Sequence, residues 1–140
     1  MITFNELEVL NSRLDFIAVG DWLSFVIKDQ KRELDFVNFI FCSDPYLLKI
    51  NQDFLNHDYL TDVITFDYNE EFVSSDVFIS VDRVDDNAKA HGVDFTNELM
   101  RVIVHGVLHL CGFKDKTVEE ERMMRSMEDH YLNLFVSRET

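Results

Sequence analysis

From residue 15 to residue 31, "DFIAVGDWLSFVIKDQK" places Phe16, Val19, Trp22, Leu23 and Val26 at helical spacing. One apolar stripe results, and the segment reads as an amphipathic helix despite Gly20. Ahead of it, Ile2–Phe4 suits a short strand. Behind it, "FVNFIFC" (Phe36–Cys42) is β-branched and aromatic and predicts a buried strand. Ser43 and Asp44 then cap a helix, "PYLLKINQDFL", with Pro45 at its first position. Thr61–Tyr68 and Asp76–Asp82 predict two strands joined as a hairpin through the acidic loop "NEEFVSS". "RVDDNAKAH" predicts a short helix stopped by Gly92.

The next segment has a different pattern. In "NELMRVIVHGVLHLC", apolar residues fill most of the helical circumference, which predicts a buried helix with Thr96 as its N-cap. Thr117 and Glu120 form a capping box. The box opens a last helix, whose Met123, Met127, Tyr131 and Leu134 form the expected inward stripe. The order β-α-β-α-β-β-α-α-α predicts an α+β fold: a small mixed four-stranded sheet against about five helices.

The chain has 140 residues, 46% of them hydrophobic, with a single proline and no repeat or linker-like stretch. We therefore expect one domain over residues 1–140 with one core. Two cysteines, Cys42 and Cys111, are too few for a disulfide framework. The start "MITFNELEVL" lacks the basic, then apolar, pattern of a signal peptide. No segment has the apolar length of a membrane span. A reduced, cytoplasmic setting is expected. The formal net charge of -14 excludes nucleic-acid binding by bulk charge. Binding RNA would need a local basic site, a metal or a partner.

Candidate chemistry sits on the buried helix. His105 and His109, four apart, lie on one face and can share an ion. Gly112 can end the helix in a left-handed turn, after which Asp115 can face the same ion. The pattern H-x-x-x-H-x-x-G-x-x-D follows the logic of a class of zinc hydrolases whose third ligand is usually His. Three protein ligands leave a fourth position open, as in catalytic rather than structural zinc sites. One Zn2+ is the expected ion, other divalent transition metals being compatible with the same donors. A peptidase is disfavoured, because Gly106 stands where the general-base Glu would follow the first His.

These residues also resemble a known family. "HGVLHLCGFKD" is similar to the H-G-x-L-H-L-x-G-Y-D-H signature of the YbeY family of bacterial metallo-endoribonucleases. "INQDFLNHDYLTDVITFDY" resembles its Leu-Asn-x-x-Tyr-Arg segment running into Thr-Asp-Val-Leu-Ser-Phe, and "SDVFIS" its Gly-Asp-Ile-x-Ile-Ser strand. The resemblance implies a zinc-dependent, single-strand-specific endoribonuclease in ribosomal RNA maturation (16S 3′ end) and ribosome quality control. The phosphodiester would be hydrolysed by a metal-activated water. Implied partners are single-stranded RNA, including rRNA, and the ribosome or ribosomal proteins.

By position, His105 and His109 match the first two ligands, and Asp115 stands where the family has its third histidine. Leu55 stands where the family has an arginine that meets RNA. Arg101, one turn before His105, is a candidate replacement cation. Lys114 and Lys116 flank Asp115, either as phosphate partners or as ordinary solvated lysines. Asp62 and Asp76 match motif aspartates that line the cleft, orient histidines or cap turns. Cys111 reads as core, and His57, His91 and His130 receive no role. Catalytic residues beyond the ligands stay unassigned. Two alternatives remain: a ribosome-associated binding protein with a structural zinc, and a metallohydrolase of a non-RNA substrate.

Overall fold

The computed structural model describes residues 1–10 and 14–139. Its elements are β1 (Ile2–Glu6), α1 (Phe16–Asp29), β2 (Glu33–Cys42), α2 (Asp44–Leu55), β3 (Val63–Asp67), β4 (Phe72–Ser80), α3 (Val81–His91), α4 (Phe95–Leu110) and α5 (Val118–Glu139). The four strands form one mixed sheet in the order β1-β2-β4-β3. β1 and β4 run parallel to β2, and β3 returns antiparallel to β4. The expected α+β class, the mixed four-stranded sheet and the five helices are all observed.

Strand alternation divides the core. Val37, Phe39, Phe41, Val77 and Ile79 face the main core, which α1 and α4 complete. Ile64, Phe66 and Phe78 point the other way, toward Leu47 and Ile50 of α2. Helix α4 touches α1, α3, α5, β3 and β4. Being surrounded, it needs apolar residues nearly all round, as its sequence shows.

Several boundaries differ from the expected ones, each for a local reason. Helix α4 is capped by Asp94, whose carboxylate accepts from the Asn97 N–H at 2.7 Å, so Thr96 already lies inside the first turn. Strand β4 begins at Phe72 rather than Asp76, because part of the supposed loop pairs with the start of β2. The hairpin loop is correspondingly tighter. Helix α3 begins at Val81, with Ser80 as cap. The capping box of α5 forms: the Glu120 N–H donates to Thr117 Oγ1 at 3.1 Å, and the Thr117 N–H to Glu120 Oε1 at 3.0 Å.

The inward stripe of α5 is shifted. Met123 is 54% exposed, whereas Met124, Glu128 and Tyr131 are buried. Met127 and Leu134 do pack against the core. Among the described residues, no helix is long and apolar enough to cross a membrane.

Candidate metal centre

Gly106 sets the depth at which α4 lies on the sheet. A Cβ at this position would sit 3.3 Å from Val77 Cγ1 and 3.7 Å from the methyls of Val63 and Thr65. The helix therefore lies directly on β3 and β4, with His105 and His109 at the edge of that contact. Any side chain at 106 would press on Val77, which adds a packing reason to the chemical one against the peptidase reading.

The helix ends in a Schellman turn. Gly112 has φ +106, its N–H donates to His109 O, and the Phe113 N–H donates to Leu108 O. Arg32 Nη1 donates to Leu110 O, covering another terminal carbonyl. The turn brings two groups back toward α4: the Phe113 carbonyl and the Asp115 carboxylate.

Three ligand atoms converge. His105 Nε2 and His109 Nε2 lie 2.9 Å apart. Asp115 Oδ2 lies 3.3 Å from each. A tetrahedral zinc with bonds of about 2.0–2.1 Å separates its ligands by about 3.3–3.4 Å along each edge. Two of the three edges match, and the third is short by about 0.4 Å, so a small divalent ion fits once the two imidazoles part slightly. Among the described residues, His105, His109 and Asp115 form the one His/Cys/Asp/Glu group that could hold a metal ion.

Tautomers support the same reading. His109 Nδ1 lies 2.9 Å from the Phe113 carbonyl. A carbonyl only accepts, so Nδ1 carries the proton, and in the neutral ring Nε2 presents a lone pair. His105 Nδ1 lies 2.6 Å from Glu128 Oε2, which fixes the same tautomer. Both Nε2 atoms thus face one point, where a neutral imidazole offers its lone pair to an ion. This is the arrangement of metal-bound histidines whose far nitrogen is held by a carboxylate or a carbonyl.

Glu128 is 4% exposed, and its other oxygen accepts from Arg101 Nη1 at 2.8 Å. Arg101 Nη2 binds Asp129 at 2.7 Å. Burial alone would raise the Glu128 carboxyl, but the His105 and Arg101 bonds and charges hold it below the usual range. Burial likewise pushes His105 down. The Glu128 bond and charge outweigh it and, with Asp115 and Asp62, carry the imidazole above its ordinary value. Arg101 is therefore committed to two carboxylates of α5 and does not replace the missing cation in the cleft.

The ligand triangle opens into a cleft of about 670 Å³. Leu55, Asp62, Lys114 and Lys116 line it, so of the alternatives open for Asp62 and the two lysines the structure has them on the cleft wall. Burial raises the Asp62 carboxyl, partly offset by His105. Asp76 lies elsewhere, bonded by Asn38 at 3.2 Å and Tyr68 at 2.7 Å. Neither aspartate hydrogen-bonds a histidine. Cys111 packs against the main core, as expected, and burial raises its thiol to about 11. His57, assigned no role from sequence, lines the cleft with its ring stacked on Tyr59 at 5.1 Å. The residue that sequence reasoning missed is Glu128. Its only sequence signal is a charge between Met124 and Tyr131 on the buried stripe.

In an α+β fold, a two-histidine helix and a carboxylate across a glycine turn, all opening into a cleft, form a group that could hold a metal ion. The family described as "Endoribonuclease YbeY" matches residues 9–136, and the chain belongs to this family. A Flavobacterium johnsoniae endoribonuclease YbeY is 48% identical over 119 residues, covering 84% of this chain and 86% of its own. A Cytophaga hutchinsonii endoribonuclease YbeY is 51% identical over 118 residues, covering 83% and 82%. The solution structure of TM1509 from Thermotoga maritima aligns with a TM-score of 0.66 at 27% identity, over 99% of this chain and 93% of that one.

Proposed function

We propose that this chain is a single-strand-specific, divalent-metal-dependent endoribonuclease, with zinc as the metal held by His105, His109 and Asp115. The observation that carries this reading is the triangle of 2.9, 3.3 and 3.3 Å between the two Nε2 atoms and the Asp115 carboxylate. Family membership supplies the substrate class. Maturation of the 16S rRNA 3′ end, and ribosome quality control with ribosomal partners, rest on the family resemblance alone. A bound ion supplies Lewis acidity to a phosphodiester and acidifies water.

The residues of the chain do the rest. Glu128 and the Phe113 carbonyl hold the two imidazoles in register. Lys114 and Lys116 supply positive charge on the cleft wall, in a protein that is otherwise strongly acidic. The stacked, exposed His57–Tyr59 pair offers a π face to an unpaired base, which a duplex cannot present. The cleft reaches the open side of the triangle, which favours a catalytic over a structural site. Asp115 in place of a histidine adds a negative charge, so weaker Lewis acidity than with three histidines is expected.

The test uses tag-free protein with labelled single-stranded and duplex RNA. Expected is internal cleavage of the single strand, lost with a chelator, restored by zinc, and absent in His109→Ala. Stoichiometric metal with RNA binding but no cleavage would overturn the enzyme reading and leave the binding-protein alternative.

A further inference from the structure

A second cavity, of about 560 Å³, lies on another side of His105 and Asp115. The two share His105 and Asp115 and otherwise have different walls. The wall of the second is α5, whose Val118, Arg122 and Arg125 recur at i, i+4 and i+7 and so share a face.

Of the described helical cations, most are tied to carboxylates; Arg122, Arg125 and Lys28 are not, and among these only the two arginines border the second cavity. Arg83 is tied to Asp44 and Asp86, and Arg101 to Glu128 and Asp129. Lys49 and Lys89 each pair with an aspartate one turn away. Arg122 and Arg125 are exposed, and among the described residues neither pairs with a carboxylate, in a chain with 27 acidic residues. Glu121 shares the cavity wall, so α5 presents two guanidinium groups against one carboxylate. The deeper Glu128 is already neutralised by Arg101 and His105.

Across the metal site, Lys114 and Lys116 line the first cleft. Four cations without a carboxylate partner among the described residues therefore border two cavities that have His105 and Asp115 as common wall residues. The position where the family has its RNA-contacting arginine is Leu55, which cannot hold a phosphate.

We propose that Arg122 and Arg125 form a phosphate-binding subsite for single-stranded RNA. The strand crosses the ligand triangle, with backbone phosphates held by α5 on one side and by Lys114 and Lys116 on the other. Guanidinium suits this task because its planar fork matches phosphate oxygens. This inference rests on the endoribonuclease reading above and adds to it the path of the substrate.

The test is fluorescence anisotropy with labelled single strands of about four and about twelve nucleotides, read before cleavage across a salt series. The variant is Arg122→Gln/Arg125→Gln. The control is Lys28→Gln/Lys89→Gln, which removes the same net charge at exposed sites outside both cavities. Expected for the arginine variant is about tenfold weaker binding of the longer strand at low salt. Its plot of log affinity against log salt should flatten by about 1.4, at about 0.7 per lost phosphate contact. The loss should shrink for the shorter strand, and metal content by elemental analysis should stay at the wild-type value. If both double variants weaken binding equally, or the arginine variant binds as wild type, the subsite is overturned while the endoribonuclease reading stands. If wild-type protein neither binds nor cleaves any single strand, the reading and the subsite fall together.

Discussion

His105 Nδ1 and Glu128 Oε2 lie 2.6 Å apart, joining the centre of α4 to the buried face of α5. The bond fixes which nitrogen of His105 faces the ligand triangle, and Arg101 fixes Glu128 in turn. Replacing the outer partner of a metal-bound histidine weakens metal binding by about 10–100-fold. We expect Glu128→Gln, which keeps the shape but loses the charge, to fall in that range. Competition titration against a chelator reads the affinity, and circular dichroism checks the fold. Wild-type affinity in a folded Glu128→Gln protein would reduce Glu128 to a packing role.

The same pair shows how far the sequence could be read. The periodicity of α4 and the spacing of His105, Gly112 and Asp115 depend on nearby residues, so the sequence alone could point to the cluster that the structure brings together. Glu128 was not, because 23 residues and an intervening turn separate it from its partner. Its charge also interrupts the apolar stripe of α5, which made Met123 look inward in place of Met124. The lower strand boundary of β4 was obscured for a similar reason. Ser74 and Ser75 read as loop residues, yet both are buried, and Ser74 Oγ donates to Asp35 across the sheet at 3.0 Å. Partners distant in sequence decide such positions.

The third ligand has its own test. Tag-free wild type is expected to hold about one metal ion per chain. Asp115→Ala should lose most of it, and Asp115→His should retain it, since imidazole at this position completes a three-histidine set. Elemental analysis after dialysis measures all three. Full metal retention in Asp115→Ala would remove Asp115 from the site.

Protons should compete with the metal at His105. Its imidazole titrates above the ordinary value because Glu128, Asp115 and Asp62 overcome its burial. Metal binding must displace that proton. Affinity should therefore fall as pH drops through the raised His105 value, and Glu128→Gln should move the midpoint to lower pH. Chelator competition between about pH 5.5 and 8 tests this. A pH-independent affinity over that window would remove the proton from the linkage.

At the alkaline end the sign of the stability change is also set. Burial raises Cys42 from 9.0 to about 12 and Cys111 from 9.0 to about 11. Between these values the unfolded thiols have lost their protons and the folded ones have not. The stability is present below pH 9 and is lost as pH rises through the folded values. Thermal unfolding should show a falling Tm above pH 9, and native thiols should alkylate slowly until the chain unfolds. Rapid alkylation of both thiols in folded protein near pH 8 would contradict their burial.

Leu55, 39% exposed at the last residue of α2, lines the same cleft as the ligand triangle. The family resemblance places an arginine here. Leu55→Arg should add one cation beside Lys114 and Lys116 without disturbing the core, because the side chain already reaches solvent. One added phosphate contact steepens the salt dependence of single-strand binding by about 0.7. Affinity should rise at low salt, and the gain should fade as salt increases. The gain should persist in an Arg122→Gln/Arg125→Gln background if the two positions hold different phosphates, and the two effects then add. Tighter binding in that background only, with none in wild type, would mean that the α5 arginines and position 55 compete for one phosphate. A single strand would then enter from one side of the metal site rather than cross it.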